Sequence, residues 1–495
     1  MRIQLENQPY LSVSTDALVT YVFDKEPKLE GIVAEIDRAM GGRLSSLISS
    51  GEISGKNLEM VLIHFPQGLA AQRLLLVGAG KPGKFATSDL RKIAGSALRF
   101  LKSRGVKKVT FVPRESERSA DAARAITEGL VLADFESDKY RTDKKTREIA
   151  SISLVGFDAA LGQNIEQAID NGRVVAESQN FARDLINEPS NHLTPRMLAA
   201  KAGEMAAEVG LGIEILDERR IAELKMGALL GVAQGSVEPP RMIILRYVPE
   251  QRPVGGPVLG LIGKAVTFDT GGISIKPANN MEKMKYDMGG GATMLGAMRA
   301  LAYLKPRVPV IAVIPATENM PGGRAQKPGD VQTAMSGKTI EVINTDAEGR
   351  LILADAITYA KQLGCSHLID AATLTGAIEV ALSNVNVGAF GTPREFLDQF
   401  LASAKAVGEK MWPMPIDDEY EEMIKSNIAD IRNTGSGKGG GAITAAWFLK
   451  EFAEDTPWVH LDIASTCWVD EGRSWLAKGP TGVAIRSIID FALKL

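Results

Sequence analysis

The sequence predicts an α/β protein of two domains. A smaller N-terminal α/β domain is expected over residues 1–165. A larger C-terminal α/β domain is expected over 166–495, with a mostly parallel central sheet flanked by helices. Three observations carry this reading. A chain of 495 residues is too long for one hydrophobic core. Strand and helix signals alternate in both parts, the pattern of parallel sheets. Between the parts, "QNIEQAIDNGRVVAESQNFARDLI" (163–186) reads as one long amphipathic helix suited to linking domains.

In the first part, "RLLLVGAG" (73–80) is a short apolar run ending in glycines, as a buried strand should be. "TSDLRKIAGSALRFLKSRG" (87–105) follows, with Ser and Thr at its start and Gly105 at its end. Leu90, Ile93, Ala97, Leu98 and Leu101 make one apolar stripe at helical spacing. "KKVTFVP" (107–113) is the next strand, which completes a βαβ pattern. The charge-rich, aromatic-poor break "ESDKYRTDKKTRE" (136–148) reads as a solvated loop.

The second part predicts strands at 241–248, 258–268, 308–316, 339–343, 366–373 and 458–464. Helices are expected to begin near Ala292, Arg350 and Ala442, with a last one over 481–495. There is no internal repeat and no low-complexity segment.

Composition excludes several classes. Hydrophobic residues at 45% and charged residues at 24% are ordinary for a globular chain and rule out disorder as the main state. A net charge of −3 offers no general attraction to nucleic acid or anionic membrane. Residues 1–165 carry 24 Lys and Arg against 20 Asp and Glu, and the remainder 33 against 40, so the second part is the acidic one. Two cysteines, Cys365 and Cys467, make no disulfide framework. The opening residues lack the pattern of a signal peptide, and no stretch reaches the roughly 18 apolar residues of a membrane span, so a cytoplasmic location is expected.

The chemistry concentrates in a few segments. "INTDAEGRL" (343–351) sets Asp346 and Glu348 two positions apart, with Arg350 two further on, between a strand and a helix. Such loops are where open α/β sheets place ligands. Thr345 and Glu348 also fit a capping box, a purely structural role. "GKAVTFDTGGISIKP" (263–277) carries Lys264 inside an apolar strand, Asp269 ahead of Gly271 and Gly272, and Lys276. "MKYDMGGG" (284–291) repeats the device with Asp287. Asp269, Asp287, Asp346 and Glu348 sum to a charge of −4, which two divalent cations would neutralise, and paired metals need shared carboxylates. His64, His192, His367 and His460 are isolated in sequence, so the ligands are expected to be oxygens, with room for one amine.

These segments resemble the signatures of the M17 leucine aminopeptidases, also called cytosol aminopeptidases. The resemblance runs in order over about 184–495, through "DLINEPSNHLTP", "ATENMPGGRAQKPGD", "DAATLTGA" and "HLDIAST" as well as the stretches above. It implies two metal ions, Mn²⁺ or Zn²⁺, held by Lys264, Asp269, Asp287, Asp346 and Glu348. Lys276 and Arg350 match the family's two catalytic residues that are not ligands. The implied reaction is removal of the N-terminal residue, preferably leucine or another large apolar one, from peptides with a free N-terminus. In the family a water bridging the metals attacks, and one metal takes the free α-amine. Lys276 would polarise the scissile carbonyl, and a bicarbonate ion near Arg350 would carry the proton. As a ligand Lys264 must be the neutral amine, with its pKa far below the usual value of about 10.4.

The resemblance also implies a homohexamer built of two trimers. Met284 and Thr373 match positions bordering the pocket for the N-terminal side chain, as do Ser465 and Cys467, which replace the small residues usual there. Ala265 stands where the family often has glycine. The N-terminal third resembles the family only in its βα pattern, and an assembly or regulatory role is expected for it.

Two rivals differ in class. "GAGKPG" (78–83) fits a dinucleotide fingerprint after a strand, but Pro82 falls inside it and no acidic residue closes the next strand. The alternative of an additional or main nucleic-acid-binding role rests only on the positive surplus of the first part.

Overall fold

The computed structural model describes residues 1–26, 28–144, 147–253 and 255–495, so residues 145 and 146 of the charge-rich break lie outside the described residues. The chain forms two compact units, residues 1–177 with 470–478, and residues 178–469 with 479–495. They part at 177/178, inside the linking helix, where composition alone points to 165.

The first unit is a three-layer sandwich. Its strands β1 (Arg2–Leu5), β2 (Ala17–Val22), β3 (Met60–His64), β4 (Arg73–Gly78), β5 (Lys108–Phe111) and β6 (Ser151–Leu154) lie in the order β1-β6-β5-β2-β4-β3. All pairings are parallel except β3 with β4. Strand periodicity decides which face each side chain meets. Ala17, Val19 and Tyr21 of β2 pack with helices α3 (Leu90–Lys102) and α4 (Ala120–Asp134). The intervening Leu18 and Val22 pack with α1 (Gly31–Ala39) and α2 (Arg43–Ser49). The glycine-rich "GAGKPG" is a strand-to-helix turn. A side chain at Gly78 would meet the carbonyl of Lys56 at 1.8 Å, so backbone packing alone accounts for that glycine. Helix α5 (Gly162–Asn187) follows, in agreement with the predicted linker helix.

The second unit is built on a mixed sheet. Its strands are β7 (Gly212–Leu216), β8 (Arg241–Tyr247), β9 (Leu259–Gly263), β10 (Ala265–Asp269) and β11 (Val310–Asn319). Beyond β12 (Val331–Thr333) and β13 (Thr339–Glu341) come β14 (His367–Ala372), β15 (Val387–Thr392), β16 (Met411–Pro413), β17 (Ile431–Arg432) and β18 (Trp458–Asp462). The main order is β16-β15-β18-β14-β9-β11-β8-β7, with β10 paired to β11. The centre, β18-β14-β9-β11, is parallel throughout. Helices α6 (Pro195–Val209), α7 (Glu218–Glu223), α8 (Gly227–Ala233), α9 (Gly289–Leu304) and α10 (Gly349–Gln362) belong to this unit. So do α11 (Gly376–Leu382), α12 (Arg394–Ala406), α13 (Gly441–Ala453) and α14 (Ile485–Lys494). Leu229 of α8, Leu353 and Ile357 of α10, and Phe448 of α13 share one core with Ile244, Ile262, Val313 and Leu368 of the sheet.

Two predicted elements differ. The single strand expected over 258–268 breaks at Lys264. There the main-chain N–H turns to the carbonyl of Ala371 (3.1 Å) and the carbonyl takes the N–H of Gly291 (2.6 Å). The strand before the acidic loop, β13, belongs not to the main sheet but to a small separate one ordered β12-β13-β17. No helix among the described residues is long and apolar enough to cross a membrane.

Candidate metal centre

Parallel strands deliver side chains to the carboxyl edge of the central sheet, where open α/β folds bind ligands. Lys264 follows β9, Asp269 closes β10, Asn319 closes β11 and Thr373 follows β14. Asp287 comes from the 3₁₀ turn Met281–Met288 that leads into α9. Asp346 and Glu348 come from the loop between β13 and α10. Glycine makes the approach possible at two points. Gly271 has φ +87°, and a side chain there would stand 2.9 Å from Asp346 Oδ1. A side chain at Gly349 would stand 2.8 Å from Lys264 Nζ.

Asp269, Asp346 and Glu348 each place one carboxylate oxygen within 4.8 Å of the other two. Asp287 joins them through Lys264, whose Nζ lies 2.8 Å from Asp287 Oδ2 and 2.8 Å from Glu348 Oε1. Lys264 Nζ also donates to the carbonyl of Thr373 at 2.9 Å. Lys276 Nζ lies 2.8 Å from Asp269 Oδ2 and pairs with Asp346 Oδ1. The structure thus brings all four acids and both lysines into one cluster, with Lys276 turned to the acids.

The remaining predicted residues surround it. Arg350 is buried in the first turn of α10, and its Nη1 donates to the carbonyl of Asn433 at 2.6 Å. Met284 is half-buried, three residues before Asp287. Thr373 is held against the acid, with Oγ1 donating to Asp287 Oδ1 at 2.6 Å.

The capping-box reading of Glu348 is not what the structure shows. Glu348 stands at the start of α10 without a side-chain cap bond. Thr345 Oγ1 instead donates to the carbonyl of Gly271 (2.6 Å) and accepts the N–H of Ser274 (2.8 Å), which laces the two acidic loops together.

The electrostatics follow from burial and crowding of like charge. Burial pushes the Glu348 carboxyl above the usual range, Asp269 and Asp287 push the same way, and Lys264 opposes. Asp287 is raised by burial first, against the pull of Lys264. For Lys264 burial is the largest single influence and favours the neutral amine. The carboxylates of Asp287, Glu348 and Asp269 together outweigh it and hold the ammonium above its ordinary value. The chain's own groups therefore do not by themselves depress the lysine, and the expected neutral amine belongs to the metal-bound site. Releasing that proton takes the repulsion of a cation. Burial lowers Arg350 to about 10, opposed by Glu348 and Asp462, which leaves it charged at neutral pH.

Whether these residues suit divalent cations can be tested on their oxygens. Asp287 Oδ2, Asp346 Oδ1 and Glu348 Oε1 are buried and face only lysine ammoniums, and Glu348 Oε2 is buried without a hydrogen bond. Unsatisfied buried carboxylate oxygens are costly. Divalent cations accept several such oxygens at once. The other oxygen of Asp269 is fixed by the N–H of Gly271 and by Asn319 Nδ2, both at 2.8 Å, and that of Asp287 by Thr373. Outer partners of this kind orient metal ligands. The donor set fits.

Two polar residues in this frame escape sequence reasoning. Asn319 could have been found by the rule that located Asp269, since it also ends a parallel strand. Asn433 lies between a two-residue strand and a glycine-rich loop and offers no such signal. Of the histidines, His460 is fully buried, with Nδ1 2.6 Å from Asp370 Oδ1, as a core histidine should be.

Comparison with known proteins agrees with this geometry. The model of the cytosol aminopeptidase family's catalytic domain matches residues 180–489, and that of its N-terminal domain residues 19–144. A probable cytosol aminopeptidase of Solibacter usitatus is 54% identical over 100% of this chain and 99% of its own. One of Koribacter versatilis is 50% identical over 99% of each. A variant of tomato leucine aminopeptidase superposes with a TM-score of 0.89 at 35% identity, covering 100% of this chain and 97% of its own. The bottromycin maturation enzyme BotP in complex with Mn superposes at 0.84 with 30% identity, covering 97% and 99%. Both domains and the full length are matched: the chain belongs to the cytosol aminopeptidase family, M17, and is a metal-dependent aminopeptidase.

Proposed function

We propose that the chain removes N-terminal residues, large apolar ones by preference, from peptides with a free N-terminus. Lys264, Asp269, Asp287, Asp346 and Glu348 would hold two divalent cations, Mn²⁺ or Zn²⁺. The observation that carries this is the crowd of buried carboxylate oxygens on Asp287, Asp346 and Glu348 that only lysine ammoniums offset, with Glu348 Oε2 without any hydrogen bond. When bound, the cations supply Lewis acidity and a counter-charge for four crowded acids. With cations neutralising Asp269 and Asp346 in its place, the Lys276 ammonium would be free to polarise the scissile carbonyl and balance the charge that develops on that oxygen. Arg350, whose Nε is buried without a partner, anchors a small anion, bicarbonate, that carries the proton. Met284 and Thr373 border the pocket for the N-terminal side chain. The cytosolic relatives support a cytoplasmic location, and the assembly proposed is a homohexamer.

The test is hydrolysis of a leucyl chromogenic amide before and after chelation, with Mn²⁺ or Zn²⁺ added back. Activity that vanishes on chelation and returns with either ion is expected, and activity indifferent to chelator would overturn the reading.

A further inference from the structure

The acidic loop and Arg350 are held by one residue some eighty to ninety positions away. Asn433 is fully buried, with no exposed surface. Its Oδ1 accepts the N–H of Ile343 (2.8 Å) and of Asn344 (3.3 Å). Its Nδ2 donates to the carbonyls of Asn344 (2.7 Å) and Ala347 (3.3 Å). A side-chain amide has two donors and two acceptor sites, and all four are used here. The main chain of Asn433 works in the opposite direction. Its carbonyl accepts Arg350 Nη1 at 2.6 Å, and its N–H is tied to the carbonyl of Glu341 at 3.0 Å. The side chain thus grips residues 343–347, which carry Asp346 and lead into Glu348, while the carbonyl of the same residue grips the guanidinium.

We infer that Asn433 is a positioning residue for the aminopeptidase reaction, coupling the place of Arg350 to the geometry of the acidic loop. The inference rests on the roles proposed above for Arg350 and for Asp346 and Glu348. Only asparagine serves. Aspartate keeps the two acceptor contacts and loses both donations, glutamine is a carbon too long for a closed set of four bonds, and alanine removes all four bonds, leaving the N–H groups of Ile343 and Asn344 and the carbonyl of Ala347 without that partner. Asn433 touches neither substrate nor reacting atoms, so it acts through the groups it holds. The segment that follows, "TGSGKGGG" (434–441), is tied to the rest by the N–H of Ser436 on the carbonyl of Met423 (2.8 Å). Asn433 is therefore the last fully buried residue before a glycine-rich run.

The experiment is a double-mutant cycle on the full chain loaded with Mn²⁺. It uses Asn433→Ala, Arg350→Ala and the pair, with Mn²⁺ affinity measured by calorimetry on the metal-stripped proteins. Asn433→Asp serves as a second variant, because it keeps both acceptor contacts and loses both donations. Arg350→Ala is expected to lower kcat and leave Mn²⁺ affinity alone. Asn433→Ala is expected to lower kcat by at least about tenfold with little change in KM, and to weaken Mn²⁺ binding. The double variant should fall no further in kcat than Arg350→Ala alone, since groups acting as a unit are non-additive. A general loss of folded protein would scale all rates and leave the cycle additive. An additive cycle, or Mn²⁺ affinity unchanged in both Asn433 variants, overturns the inference. Wild-type kcat in Arg350→Ala overturns the role proposed for Arg350 and this inference with it.

Discussion

Lys264 is the residue where a change that looks conservative should do most damage. Its ammonium touches Asp287 and Glu348, and a lysine binds a cation only after losing its proton. Arginine cannot lose its proton inside a protein, so Lys264→Arg keeps a fixed cation against the metal. The expected outcome is loss of one metal per chain, by elemental analysis, and of nearly all activity. Two metals and wild-type turnover would show that Lys264 is not a ligand. Glu348 makes the complementary case. As a cap, its replacement would cost about 1 kcal/mol of stability and leave catalysis untouched. Its side chain makes no cap bond; Oε1 faces only the Lys264 ammonium, and Oε2 is buried without a hydrogen bond and crowded by other acids. Glu348→Gln should therefore melt no lower than wild type in chelator while losing metal and activity. Mn²⁺ at about a hundred times its Kd should stabilise wild type by about 2.7 kcal/mol and the variant far less, in a melting curve with and without the ion.

At the scale of elements, α10 carries a second buried acid that serves the frame. Asp355 accepts the N–H of Leu229 at 2.8 Å and of Met335 at 2.7 Å, fixing the first turn of α8 and the turn after β12 against the helix that begins with the acidic loop. Burial raises its pKa from 3.8 to about 7, and the backbone donors oppose that rise. A carboxyl raised on folding contributes stability below its unfolded pKa and loses that contribution as pH climbs through the folded value. Stability measured in chelator should therefore decline between about pH 4 and 7 through this group. Asp355→Asn should flatten that part of the profile, and an unchanged slope in the variant would assign the effect elsewhere. Asp355→Ala orphans two buried donors at about 1–3 kcal/mol each, which a denaturant titration would register.

For the whole molecule, the expected selectivity comes from what the cluster can hold. A free α-amine can join a cation as a neutral donor, and an acetylated one cannot. Peptides with an unblocked N-terminus should be cleaved and their N-acetylated counterparts should not. Equal rates on the two would exclude exopeptidase action by this site.

How much of this could be read from the chain follows a physical division. Local patterning is enough to reveal the alternation of strand and helix, the stripe of α3, the linker helix and most strands of both sheets, because burial of one face imposes a period on neighbouring residues. The acids before glycines were legible for the same reason, since glycine permits the close approach that such loops need. The sequence by itself therefore determined the fold class, the family and the residues that converge. Only the tertiary structure decided the break of the predicted strand at Lys264, the placement of β13 in a side sheet, the turn of Lys276 toward Asp269 and Asp346, and the clamp at Asn433. Each depends on pairing between segments far apart in the chain, and the charge state of Lys264 depends on three carboxylates brought to it by different elements. Spacing along a chain carries no information about such sums. They exist only once the backbone has closed.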